Sequence, residues 1–109
     1  MPHNNTKTLL IKPVETNFEL WFENEAKEIA TCVSKNLILD FTDFESIKNK
    51  ELKKVVPLSK VYKKAKISLI LIVQNIDFDS IPTQLMVVPT LQEAHDMIEF
   101  EEIERDLGF

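Results

Sequence analysis

Four short apolar runs punctuate the chain: Thr8–Val14 (TLLIKPV), Asn36–Phe41 (NLILDF), Ile67–Val73 (ISLILIV) and Leu85–Val88 (LMVV). Asn36–Phe41 reads as a buried parallel strand and Ile67–Val73 as one buried on both faces. Ile67–Val73 is the most apolar run and predicts the central strand. Pro13 removes a backbone donor, so the first strand either ends there or lies at an edge.

Between the runs the period changes to that of a helix. Phe18, Phe22, Ala26, Ile29 and Val33 recur at steps of three and four, an amphipathic stripe too long for a strand. Thr16 and Glu19 stand at capping-box spacing before it. Leu52, Val55, Leu58, Tyr62 and Ala65 predict a second helix over Asn49–Ala65. Pro57 must kink that helix or start a new one. Thr42–Ile47 reads as a loop, and Gln74–Thr83 as a loop with at most one helical turn. The last helix is predicted from Thr90, as N-cap with Glu93 three residues on, to Leu107, with Gly108 as the stop.

The predicted fold class is therefore α/β: about four mostly parallel strands packed by three helices in a small two-layer domain. The chain of 109 residues supports one domain, over residues 7–109, preceded by a polar, flexible 1–6.

Composition then narrows the chemistry. Gly108 is the only glycine, which excludes the glycine-rich phosphate loops of nucleotide-binding proteins. A single cysteine, Cys32, excludes an internal disulfide and a cysteine zinc cluster. No apolar run approaches a membrane span, and MPHNNTKTLL lacks the layout of a signal peptide. These points predict a cytoplasmic protein. The net charge of −5 is unevenly placed. Eight lysines crowd residues 48–66 against Glu51 alone, and seven acids crowd the last helix against Arg105 alone.

The order of elements, the run Asn36–Phe41 followed by Thr42, Asp43 and Phe44, and the Pro89-Thr90-Leu91-Gln92-Glu93-Ala94 helix start resemble the STAS domain of anti-sigma-factor antagonists. The resemblance covers roughly Lys7 to Phe109 and implies a STAS-like, non-enzymatic protein-interaction module with no cofactor. Switchable members carry an Asp-Ser-Ser-Gly loop whose serine is phosphorylated. That place is taken here by Lys48-Asn49-Lys50-Glu51, which holds neither serine nor glycine. The implied partner surface comprises Thr42, Asp43, Ser46, Lys48, Lys50, Lys53 and Lys54. The ending VVPTLQEAHDMIEFEEIERDLGF is also similar to that of short bacterial chains labelled ribonuclease Z. That label implies an RNA-processing or nucleic-acid-binding accessory role. The HxHxDH metal motif of the true nuclease has no counterpart among His3 and His95.

Other constellations weigh less. Asp40, Asp43 and Glu45 follow a strand but lack the further acids and lysine of a phospho-acceptor site, so they read as an acidic loop. His95 and Glu99 share a helix face yet supply two ligands where zinc needs at least three. Cys32 lacks a partner base and reads as an inert thiol. Trp21 sits beside Phe22 of the stripe and reads as the more outward of the two, either an exposed contact residue or a ring partly buried under the N-terminal segment. The lysines suit phosphate contacts, but the segment has no arginine and the chain is acidic overall. A protein partner is expected, a second copy is one candidate, and nucleic acid is disfavoured.

Overall fold

A computed structural model describes residues 8–14, 17–31, 33–44, 47–74 and 76–108, with the backbone alone at Phe78. The expected N-terminal tail, Thr16, Cys32, Glu45 and Ser46 lie outside the described residues. The elements are β1 (Thr8–Ile11), α1 (Phe18–Thr31), β2 (Asn36–Asp40), α2 (Asn49–Leu52), a 3-10 turn (Lys53–Val55), α3 (Val56–Lys64), β3 (Leu69–Ile72), a 3-10 turn (Phe78–Ser80), β4 (Met86–Val88) and α4 (Leu91–Asp106). The four strands form one parallel sheet in the order β1-β2-β3-β4. The expected α/β domain of parallel strands and three helical segments is the one that forms, its middle segment being α2, the 3-10 turn and α3 in succession.

Right-handed crossovers that always step the same way place their connections on one face of a sheet. That face holds Leu37, Leu39, Phe41, Leu69, Leu71 and Val73, packed under Phe18, Trp21 and Ile29 of α1 and Leu58 and Tyr62 of α3. The alternate strand residues Ile38, Ile70, Ile72 and Val88 point the other way and meet Ala94 and Ile98 of α4. The layering is thus refined: α4 lies alone on the far face, so β2 and β3 are buried on both sides. This explains why Leu37–Leu39 and Leu69–Ile72 are unbroken apolar runs.

Local chemistry sets the helix limits. The Asn17 side chain accepts from the Leu20 N–H at 3.1 Å and caps α1, so Asn17 fills the role expected of Thr16. Pro57 sits in the first turn of α3, where its missing donor costs little. The turn of tighter helix before it absorbs the break. Thr90 caps α4 by accepting from Glu93 N–H at 3.2 Å. The Glu93 carboxylate accepts from the Thr90 hydroxyl at 3.1 Å, so only half of the reciprocal box is made. Gly108 (φ 83°) closes α4 in the left-handed region.

Helix α3 ends in the same way but without glycine. Lys66 has φ 62°, and the Ile67 N–H bonds to the Tyr62 carbonyl at 3.2 Å, the hydrogen bond of a Schellman stop. A side chain with a Cβ is strained there by roughly 1–2 kcal/mol. Lys66→Gly is expected to raise stability by about 0.5–1 kcal/mol, after the entropy cost of glycine in the unfolded chain. Thermal unfolding checks this; an unchanged or lower midpoint contradicts it.

Trp21 corrects the outward placement expected for it. It is 0% exposed and lies in an aromatic cluster, 5.2 Å from Phe41 and 5.9 Å from Phe18 between ring centroids. Phe22 is the less buried of the two neighbours. Adjacent helix positions are only 100° apart, so a wide apolar arc accommodates both.

Candidate functional site

In parallel α/β sheets the loops after the strands' C-terminal ends carry function on a rigid scaffold. The predicted partner surface occupies that end. Asp40, the last residue of β2, organises the turn: its Oδ1 accepts from the Thr42 N–H at 3.0 Å and from the Thr42 hydroxyl at 2.6 Å. Phe44 is buried and pins the loop to the core. Asp40 is thereby committed to a structural turn, and Thr42, half-buried, is spent in the same one. Asp43 is exposed and lies 3.7 Å from Lys12 at the end of β1.

The loop then enters α2. The Lys48 N–H donates to Glu51 Oε1 at 2.9 Å; a lysine side chain has no acceptor, so Glu51 alone closes this helix start. The Asn49 amide donates to the Ser80 hydroxyl and ties α2 to the 3-10 turn after β3. Lys48, Lys50, Lys53 and Lys54 are all exposed. Lys54 meets Glu19 of α1 at 2.5 Å, both partners being nearly half exposed. That pair links the 3-10 turn to α1 and contributes at most about 1 kcal/mol. Lys48, Lys50 and Lys53 have no carboxylate partner among the described residues. The structure therefore splits the expected surface: Asp43 and Lys54 are paired locally, and three lysines project freely.

The order of the described strands never reverses. The sheet consequently lacks the switch-point crevice in which open α/β sheets hold small ligands. A cleft of about 600 Å³ opens instead at the other end, beside the first residues of β3 and β4. Lys63, Lys66 and Arg105 line it with Glu101 and Glu104. Both α3 and α4 end there, so these cations stand at the negative ends of two helix dipoles. Among the described residues no three of His, Cys, Asp and Glu come together as a metal-binding group, and His95 is exposed. No helix among the described residues is long and apolar enough to cross a membrane.

Three features lie beyond the sequence-based expectations. Asn36, fully buried, donates from Nδ2 to Glu102 Oε2 at 2.9 Å and accepts the Ser68 N–H at 2.8 Å. The Ser68 hydroxyl donates to Glu101 Oε1 at 2.5 Å and accepts from Arg105 at 3.3 Å. Thus two of the seven acids of α4, Glu101 and Glu102, turn towards the sheet. The third feature is on the outside of α4, where Phe100, Ile103 and Leu107 are exposed. Exposed apolar residues on an otherwise acidic helix were not anticipated. Their spacing of three and four was the signal that could have revealed them.

No protein-family model matches this chain, and no curated protein matches it.

Proposed function

We propose that this chain is a non-enzymatic, STAS-like protein-interaction module acting in the cytoplasm, and that it docks on an acidic surface of a partner through residues 42–54. The observation that carries this reading is the row of exposed lysines without a carboxylate partner among the described residues, Lys48, Lys50 and Lys53, on a short helix and turn anchored by Phe44, Leu52 and Val55. Such a unit offers charge on a preformed surface, which favours fast, salt-sensitive association. Because Lys48–Glu51 replaces the family's phosphorylatable serine, the interaction is constitutive in this reading. Overall negative charge and the absence of arginine from the segment argue for protein over nucleic acid.

The test is capture of partners from nuclease-treated extract by the wild-type chain and by Lys50→Glu/Lys53→Glu. A stoichiometric protein partner is expected with the wild type. Its recovery should fall about tenfold or more with the double variant, equivalent to about 1.4 kcal/mol. Equal recovery by both chains contradicts the reading. Capture that disappears with nuclease treatment replaces it with a nucleic-acid-binding accessory role.

A further inference from the structure

Helix α4 is apolar on two sides. Ala94 and Ile98 face the sheet, yet Phe100, Ile103 and Leu107 are 55%, 40% and 64% exposed. Steps of three and four put those three on one outward face. Asp96 and Glu99 precede Phe100 and Ile103 by four residues each and extend the face with negative charge. A surface helix satisfied by its own sheet needs one apolar stripe, not two.

The complementary surface is on α3. Val61 is 40% exposed, and Pro57, Lys60 and Lys64 beside it are exposed as well. Each surface has an apolar centre flanked by charge of one sign, and the signs are opposite. Within one molecule they cannot meet, because α3 and α4 lie on opposite faces of the sheet. Pairing α4 with α4, or α3 with α3, brings like charges together.

We infer that the outward face of α4 binds the α3 face of a second copy, head to tail. Such a contact is heterologous: it leaves one α3 face and one α4 face free and so extends into chains or rings rather than closing as a two-fold dimer. Two helix faces bury less than the area of a stable interface, so the association is weak, and its charges make it salt-sensitive. The inference is independent of the partner proposed for residues 42–54.

Sedimentation of the purified full chain tests it. The average mass should rise with concentration at about 50 mM salt and return to that of the monomer at about 500 mM. Lys60→Glu/Lys64→Glu and Asp96→Lys/Glu99→Lys should each weaken association about tenfold or more. Mixing the two variants should restore it, since each supplies the surface the other lacks. Phe100→Ser should weaken it without changing its salt dependence. A wild-type chain monomeric throughout, association strengthened by salt, or a mixture no more associated than its components would overturn the inference. Circular dichroism of each variant separates loss of contact from loss of fold.

Discussion

Trp21→Ala is expected to be the most damaging single substitution in this molecule, at about 3–5 kcal/mol. The side chain is fully buried and forms ring contacts with Phe18, Phe22 and Phe41. Those contacts join α1 to the residue just after β2, so the cavity would open at the junction of helix, sheet and partner loop. Small domains are held by only about 5–15 kcal/mol, and a loss of this size leaves a measurable unfolded population. Trp21→Phe is the informative companion. It keeps an aromatic ring and removes Nε1, which is buried without a hydrogen-bond partner. Relief of that unmet donor, about 1–3 kcal/mol, offsets part of the lost volume. Urea denaturation followed by circular dichroism should order the three chains as wild type, Phe, Ala. A cost below about 1 kcal/mol for alanine would mean that α1 is not packed on the sheet as described.

The second large effect is expected at Asn36. Asn36→Ala removes the donor to the Glu102 carboxylate and the acceptor of the Ser68 N–H, leaving two buried groups unmet. The expected cost is about 2–4 kcal/mol, since each unmet buried group costs about 1–3 and a charged one more. Glu102→Gln retains an oxygen able to accept from Asn36 and should cost less than about 1 kcal/mol. In Asn36→Ala/Glu102→Ala the orphaned carboxylate is gone, so the double loss should be smaller than the sum of the single losses by about 1 kcal/mol or more. Additive losses would show that the two side chains do not share a bond. The network matters for function indirectly, because it sets where α4 lies on the sheet and hence which residues it turns outward.

Much of the scaffold is legible in the chain because local chemistry decides it. Pro57 announces the break between α2 and α3, Thr90 the start of α4, and Gly108 its end. The unbroken runs at Leu37–Leu39 and Leu69–Ile72 announce strands covered on both faces. The burial of Trp21 is hidden because steps of four follow only one side of a broad apolar arc. The actual arc takes in positions 18, 21, 22, 26 and 29. Glu102 looked like one more solvated acid, since its partner Asn36 lies 66 residues away, and no spacing rule reaches that far. Lys66 gave no warning either; a left-handed stop is ordinarily marked by glycine. For the candidate surface, residue types were legible but pairing was not. Only packing shows that Lys54 is held by Glu19 and Asp43 by Lys12, while Lys48, Lys50 and Lys53 have no carboxylate partner among the described residues.

The division between a closed scaffold and an open lysine surface is most directly tested by amide hydrogen exchange of the chain, alone and with the captured partner. The short α2 and its 3-10 turn are anchored by Leu52 and Val55 but are brief and present Lys48, Lys50, Lys53 and Lys54 to solvent, so their amides should exchange faster than those of β2 and β3 in the free protein. Binding is predicted to slow exchange across residues 47–54, with β2 and β3 unchanged. Protection confined to the cleft lined by Lys63, Lys66 and Arg105, or spread evenly through the fold, would contradict the account.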